Sequence, residues 1–471
     1  MREKREKYFF IANGAASDNV EMEGKMNKKC RIVMMGGGSV NWSPKLINDF
    51  MLTKGLEEAE YVIFDTDDKI GEKMAALGNY LSHKRGLSCT FYYTYDQKSA
   101  FLNADYVIIT ISTGGLDAMA HDLEIPEEYG IYQTVGDTVG PGGWARGLRN
   151  IPVFAETAMN IQKYAPGAVV LNYTNPMAAL TKVFYKVSHL QTVGLCHGLF
   201  EVYALLMKLF GLESEEQIKV RFGGVNHFFW ITELRINGEN GYDLLRKKIG
   251  HRSFADIVSE KNEDEPGLQS NLQVCSELFS HYGYLPYTGD RHISEFLPSY
   301  LTFNKKNLAH YQLERTSIGN RREKRQKGIE KLDAYLQGTA KLPNERSRET
   351  AANIIAAKEK GSEFIDVVNL PNVGQINNLP LSSVVETLGV VNNAGFTPLT
   401  VGDLPVQILN LILPHVYNQN LIVEAGLEGD LEKALFALYN DPLCSHMRLP
   451  DIKEMGIRLL NAHRDYVPQF F

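Results

Sequence analysis

The sequence predicts an α/β fold: a doubly wound, Rossmann-type parallel sheet with an interleaved α+β, mostly helical second domain. Three observations lead there. Short apolar runs alternate with helical segments through the first two hundred residues, which is the pattern of βαβ units. The earliest run, Arg31 to Met35, feeds directly into Gly36-Gly37-Gly38-Ser39-Val40-Asn41. The next run, Tyr61 to Phe64, ends in the acid Asp65.

Each element follows in order. Arg31 to Met35 reads as a buried strand, the glycines as a tight turn, and Pro44 to Met51 as an amphipathic helix. Strand, turn and helix in that order present backbone N–H groups to a pyrophosphate at the start of the helix, so Gly36, Gly38, Ser39 and Val40 are expected on a dinucleotide. The pattern is G-x-G-x-x-N and lacks the third glycine, so a plain βα turn stays open as the alternative. Asp65 is placed to accept the adenosine ribose hydroxyls, which favours NAD over NADP, with Asp67 as a second candidate. Gly71 to Lys84 reads as helix, Cys89 to Tyr93 as strand, Ser99 to Asn103 as helix and Tyr106 to Ile111 as strand. The strand leads to Ser112-Thr113-Gly114-Gly115, where small residues let the backbone approach a ligand, and Thr113 joins the cofactor set.

Residues Gly136-Asp137-Thr138-Val139-Gly140-Pro141-Gly142-Gly143 hold four glycines and one proline in eight positions. That composition predicts a loop rather than regular structure. With Asp137 inside it and Arg146 and Arg149 just beyond, a ligand loop is favoured over a bland surface one. A helix from Ile151 to Tyr164 and a strand from Ala168 to Leu171 return the chain to Asn172-Tyr173-Thr174-Asn175-Pro176. A helical run and a short strand then lead to Cys196-His197-Gly198, and a later strand to Asn226-His227. Cys196 and His227 each follow an apolar strand. Taken singly, they read as a buried thiol and a structural histidine. Taken together beside a dinucleotide site, they are suitable metal ligands that leave coordination positions open for a substrate. Beyond them lie a β-hairpin from Phe228, helices, the polar segment Gly289-Asp290-Arg291-His292, a strand from Phe364 to Val368, and amphipathic helices over residues 401–426 and 431–439.

At 471 residues the chain needs more than one core. The expected division is a mobile tail over 1–28, a dinucleotide-binding domain over 29–199, and a substrate, metal and oligomerisation domain over 200–471. A net charge of −7 argues against a nucleic-acid partner, and no apolar run is long enough to span a membrane. Five scattered cysteines read as reduced thiols of a cytoplasmic protein. An assembly of two or four copies acting on a small molecule is expected.

Taken together, Gly36–Val40, Gly136–Gly143 with the Arg-Gly-Leu-Arg after it, Asn172–Pro176, Cys196-His197, Asn226-His227 and Pro371–Pro380 resemble the family-4 glycoside hydrolases. These are the NAD-dependent exception among glycosidases that otherwise use two carboxylates. The resemblance implies NAD and a divalent metal, usually manganese. It also implies a redox-elimination route: oxidation at C3 of the sugar, loss of the C2 proton, cleavage of the C1–O bond, addition of water, and return of the hydride. On the same resemblance Cys196 and His227 are the metal ligands, Asn175 binds substrate, Asp137 is the general acid and Asp290 the general base. His197, Asn226, Arg291 and His292 are expected on the sugar. Gly130-Ile-Tyr-Gln through Gly143 and Gly289 through Phe296 look most like the α-galacturonidase branch, while Cys-His-Gly is similar to α-glucuronidases and to some neutral α-glucosidases. Arg291 and His292 suit the C6 carboxylate of a hexuronide. The competing class is a plain NAD-dependent dehydrogenase, which would consume its cofactor and need no metal.

Overall fold

The computed structural model describes residues 29–259, 271–302 and 304–471. The proposed tail over 1–28 lies outside the described residues.

Six parallel strands form one half of the sheet: β1 (Arg31–Met35), β2 (Glu60–Phe64), β3 (Thr90–Thr94), β4 (Tyr106–Ile109), β5 (Val169–Asn172) and β6 (Gln191–Gly194). They stand in the order β3-β2-β1-β4-β5-β6, so the order reverses between β1 and β4. A crevice opens there at the carboxyl ends of the strands, the position where such sheets hold ligands. Both faces of the inner strands are buried, while the edge strand β3 is partly exposed. Val33, Met35, Val107 and Ile109 join one apolar core, and Ile32, Met34, Tyr106 and Ile108 the other. That two-sided burial is why the strands read as continuous apolar runs rather than alternating ones.

Seven helices accompany this half: α1 (Ser43–Met51), α2 (Asp68–Lys84), α3 (Gln97–Phe101), α4 (Gly115–Glu128), α5 (Gly140–Tyr164), α6 (Met177–Val187) and α7 (Gly198–Phe210). α1 and α2 cover one face; α3, α5, α6 and α7 cover the other. The sequence expectation for 136–143 needs correction, because Gly140–Gly143 is the first turn of α5. Pro141 is tolerated there, since a first-turn N–H has no partner inside the helix. The glycines serve packing: a Cβ on Gly143 would stand 2.5 Å from the Thr138 backbone carbon. Helix α4 was not anticipated at all.

The sheet continues through antiparallel strands: β7 (Ile218–Val225), β8 (Phe228–Ile236), β9 (Glu239–Asn240), β10 (Phe364–Pro371), β11 (Val384–Asn392) and β12 (Gly395–Pro398). β10 joins β6, β11 joins β10, and β7 joins β11, giving one twelve-stranded sheet. Cα partnering sets Gly194, Asn369, Glu386 and Gly224 in one row across four strands. Two residues beyond the ends of that row stand Cys196 and Asn226. Helices over the C-terminal third, chiefly Val406–Glu428, Leu431–Tyr439 and Leu449–Ala462, pack on α4, α5 and α6. Among the described residues no helix is long and apolar enough to cross a membrane.

Candidate active site

The Gly-rich turn is braced from within. Gly36 has φ +82°, and a Cβ there would meet the Thr110 carbonyl oxygen at 2.1 Å, so no other residue fits without a shift. Gly38 donates its N–H to Asp65 Oδ2 at 2.8 Å, and Asp67 donates its own to Asp65 Oδ1 at 3.0 Å. Asp65 therefore shapes the turn as well as standing at the end of β2. Asp67 caps α2 and pairs with Arg325 at 2.9 Å. Thr113 is fixed from α5: Asn150 Oδ1 accepts from its hydroxyl at 2.7 Å, and Arg149 Nε donates to its carbonyl at 2.9 Å. A cavity of about 530 Å³ extends from Gly38, Ser39 and Val40 past Ser112 and Gly115 to Arg291 and residues 314–325.

At the far end of α5's loop the side chains of Asp137, His227 and His292 converge. One potential ligand atom from each lies within 4.8 Å of the other two, the single such trio among the described residues. The sheet and its turns put them there. Val225 pairs with Phe228, so Asn226-His227 is a two-residue hairpin turn, and His227 takes φ +64° to close it. A left-handed non-glycine residue is uncommon, and such positions concentrate at functional sites. Asp137 precedes α5, and His292 lies in the short helix Asp290–Ile293. Asn175 follows β5 in a cis Asn175–Pro176 pair, donates from Nδ2 to Asp137 Oδ2 at 3.3 Å, and offers its carbonyl to Arg146 Nε at 3.0 Å.

Charge and tautomer follow from the contacts. Thr138 Oγ1 donates to Asp137 Oδ1 at 2.7 Å and lies 2.9 Å from His227 Nδ1. With its one proton given to the carboxylate, the hydroxyl accepts from Nδ1–H, which leaves the lone pair of His227 on Nε2 for a metal. Burial, with help from His292, lowers His227 to about 3, so the ring is neutral near pH 7. Burial also lowers His292. For Asp137 burial acts upward, but a proton on His292 or His227 whenever either ring carries one, the permanent charge of Arg146 and the Thr138 hydroxyl outweigh it and hold the carboxyl below its ordinary range. An ionised Asp137 departs from the general acid expected of it. One carboxylate and two neutral imidazoles are instead a fitting donor set for a divalent cation. The buried atoms Asn175 Oδ1, Asn226 Oδ1 and His292 Nδ1 have no protein hydrogen-bond partner, so this wall also has acceptors to spare for a ligand.

Cys196 stands outside that trio, beside Asn226. Burial pushes its thiol well up, Glu386 adds to this, and the Gly198 N–H and the Asn226 side chain act the other way. His197 pairs with Glu349 at 2.9 Å and stacks between Tyr173 and Phe200. Asp290, expected as the base, has its oxygens on the N–H groups of Val274 and Cys275 at 3.1 and 3.0 Å, the start of the helix Gln273–Tyr282. It is an anchor for that helix. Arg291 gives Nε to the Glu314 carbonyl at 2.8 Å and Nη2 to the Thr134 carbonyl and Thr316 Oγ1, so most of its fork is committed to protein rather than to a sugar. Arg149 is fully buried and bidentate on Asp122, so its guanidinium is committed to protein.

Three groups escaped the sequence reading. Glu386 is fully buried, accepts from Asn226 Nδ2 at 3.1 Å and Asn369 Nδ2 at 2.8 Å, and is raised by burial to about 7. A lone acid in the apolar run Val384-Val385-Glu386 was the signal available. Glu201, in the first turn of α7, is raised by burial to about 7 and is hydrogen-bonded to Tyr287. The Tyr287 ring stacks 5.8 Å from that of His227.

The comparisons with known proteins agree with this architecture. Residues 31–212 match the family 4 glycosyl hydrolase model, and residues 222–444 match the family 4 glycosyl hydrolase C-terminal domain. An α-galacturonidase of Bacillus subtilis (strain 168) is 36% identical over 427 residues, spanning 88% of this chain and 93% of that one. A solved structure from Bacillus subtilis superposes with a TM-score of 0.82 at 33% identity, over 92% of this chain and 100% of the other. A 6-phospho-α-glucosidase from gut microorganisms, solved in complex with NAD and Mn2+, superposes at 0.77 with 23% identity, over 93% and 99%. The chain belongs to family 4 of the glycosyl hydrolases.

Proposed function

We propose that the protein hydrolyses α-linked hexuronides, galacturonides foremost, with NAD+ and a divalent cation such as Mn2+. The observation that carries this is the trio Asp137, His227 and His292 beside Asn175, next to the cavity at the Gly-rich turn. The α-galacturonidase similar over nearly its whole length, and the related fold solved with NAD and Mn2+, support it.

When bound, the nicotinamide supplies an acceptor for hydride from C3 of the sugar, and the cation polarises the C3 oxygen so that the C2 proton becomes acidic. The chain's own groups do the rest. His227, Asp137 and His292 hold the cation. Asn175 and Asn226 present buried acceptors to sugar hydroxyls. Arg146, with Nε on the Asn175 carbonyl and under the field of Asp137, meets the C6 carboxylate in place of the committed Arg291. Tyr287 and Glu201 take up the C2 proton as a pair, the tyrosine hydroxyl accepting it while passing its own to the carboxylate.

The pair sets a pH dependence. Glu201 accepts a proton only when ionised, and its carboxyl is raised to about 7. Activity is therefore lost as pH falls through about 7 and gained as pH rises through it. A pH profile of kcat/KM should show this rising limb, and Glu201→Gln should remove it along with most of the rate. A variant that keeps both rate and limb would sink the assignment.

Substrate class is tested by kcat/KM on matched aryl α-galacturonide and aryl α-galactoside with NAD+ and Mn2+. Losing a charged hydrogen bond to the carboxylate costs on the order of 2–5 kcal/mol, a preference of roughly thirty- to several-thousand-fold for the uronide. Arg146→Met should erase most of that preference. Equal rates on the two sugars in the unmodified enzyme would end the hexuronidase reading and leave a neutral glycosidase. NADH accumulating one-for-one with product would mark a dehydrogenase.

A further inference from the structure

The cavity at the Gly-rich turn has a second wall that the sequence did not single out. It is the helix Ile318–Leu336, which starts at the capping residue Ser317 and packs across α2 and α4. Ser317, Arg321, Lys324, Arg325 and Gly328 fall at helical spacing on one stripe of it. Gly328 is pressed onto the turn itself, since a Cβ there would stand 2.6 Å from Val40 Cγ2. Arg325 reaches Asp67 beyond the end of β2 at 2.9 Å. The stripe therefore runs from the adenosine end of the crevice toward the catalytic end. Lys324 and Arg321 lie about 6 and 10 Å along the axis from Gly328.

Five cations line this cavity, and three are accounted for by the protein. Arg325 holds Asp67, Arg315 holds Glu127, and Arg291 holds the Glu314 and Thr134 carbonyls. Arg321 and Lys324 have no side-chain hydrogen bond or ion pair among the described residues, although Glu314 lines the same cavity. Two unpaired cations facing a glycine turn across an open groove are placed for a doubly charged anion lying between them. Arg321 also lowers the proton affinity of His292, Arg146 and Arg291, so its charge reaches the catalytic end of the groove.

We propose that Arg321 and Lys324 close over the pyrophosphate of the dinucleotide, so that the helix Ile318–Leu336 is a cationic cover opposite the Gly-rich turn. The turn supplies N–H donors from below and the helix supplies two charges from above. The inference rests on the reading that this groove takes NAD+. It adds a wall from the C-terminal half of the chain to a site otherwise built from the N-terminal half. Binding energy that depends on two side chains of a separate helix also makes cofactor retention sensitive to salt.

The test is calorimetric titration of the full-length protein with NAD+, ADP-ribose, adenosine and free galacturonate, comparing the unmodified chain with Arg321→Gln/Lys324→Gln. Both positions are exposed, and glutamine keeps helix propensity, so the melting profile should stay the same. The double variant should bind NAD+ and ADP-ribose at least tenfold more weakly, bind adenosine within twofold of the unmodified protein, and lose most of the NaCl dependence of the NAD+ affinity. Unchanged NAD+ affinity overturns the proposal. So does a loss confined to free galacturonate, which would assign the two cations to the sugar carboxylate. Failure of the unmodified protein to bind NAD+ at all would overturn the cofactor reading beneath it, and the two failures are told apart by that first titration.

Discussion

His227→Ala lowers kcat by roughly three orders of magnitude or more, equivalent to about 4 kcal/mol of transition-state stabilisation. The imidazole is the one donor common to the metal pair read from the sequence, Cys196 with His227, and to the trio gathered by the fold. Removing it leaves Asp137 and His292 with one ligand fewer. It also frees Thr138 Oγ1, which now bridges His227 Nδ1 and Asp137. The fold should survive, because a side chain at a hairpin turn carries little of the core. Alanine still pays about 1–2 kcal/mol to adopt φ +64°, where asparagine pays less. His227→Asn therefore serves as the control: as stable as the unmodified enzyme within about 1 kcal/mol, and as inactive as alanine. Metal content after dialysis should fall in both. Cys196→Ser separates the two ligand sets, since a Co2+-loaded enzyme shows a thiolate-to-metal absorption band only if that sulfur is bound. A His227→Ala enzyme that turns over within tenfold of the unmodified one would sink the metal site altogether.

The parallel half of the fold was legible because its inner strands are buried on both faces. β1, β2 and β4 announce themselves as unbroken apolar runs, and the capped and amphipathic helices between them follow from periodicity. The antiparallel half was harder to read. Val384–Asn392 carries Glu386 and Thr387 inside its run, and those polar residues blur the pattern: Glu386 turns to Asn226 and Asn369 at the site, while Thr387, next to it, points to the opposite face of the sheet. The first turn of α5 was misread for a related reason. Composition says loop, yet tight contact with Thr138 and Asp122 selects glycine within a helix. Among the candidate site residues, Asn175 and His227, each tied to a strand end, could be singled out from the sequence, since chain order places them, and the fold sets both beside Asp137. Direction could not be found that way. Asp290, Arg291 and His292 are consecutive, but Asp290 turns to the helix Gln273–Tyr282, Arg291 to the 314–316 segment, and only His292 to Asp137 and His227. Which way a side chain turns is decided by partners far along the chain, and no local pattern records them.

Asp122→Ala should be the most destabilising single change among the polar residues, by about 3–5 kcal/mol. Asp122 and Arg149 are both fully buried, and two parallel bonds of 2.7 and 2.6 Å join them. His463 Nε2 adds a third contact to the carboxylate at 2.9 Å and ties the C-terminal segment to α4. Removing the carboxylate strands a guanidinium that cannot shed its proton, and that uncompensated charge is the larger part of the cost. Function should suffer through geometry as well. Arg149 Nε holds the Thr113 carbonyl at the carboxyl end of β4, so the cofactor wall there loosens when Arg149 turns toward water. NAD+ affinity should fall together with stability. The double variant Asp122→Leu/Arg149→Met distinguishes a stranded charge from a lost attraction. It removes both partners at similar volume and should recover most of the stability that Asp122→Ala loses, while leaving Thr113 without its donor and NAD+ affinity still reduced. Denaturant unfolding of the three proteins and NAD+ titration of each measure both effects. A stability loss below about 1 kcal/mol for Asp122→Ala, or a double variant no more stable than the single, would show that water reaches Arg149 and that the pair is not the buried brace its contacts describe.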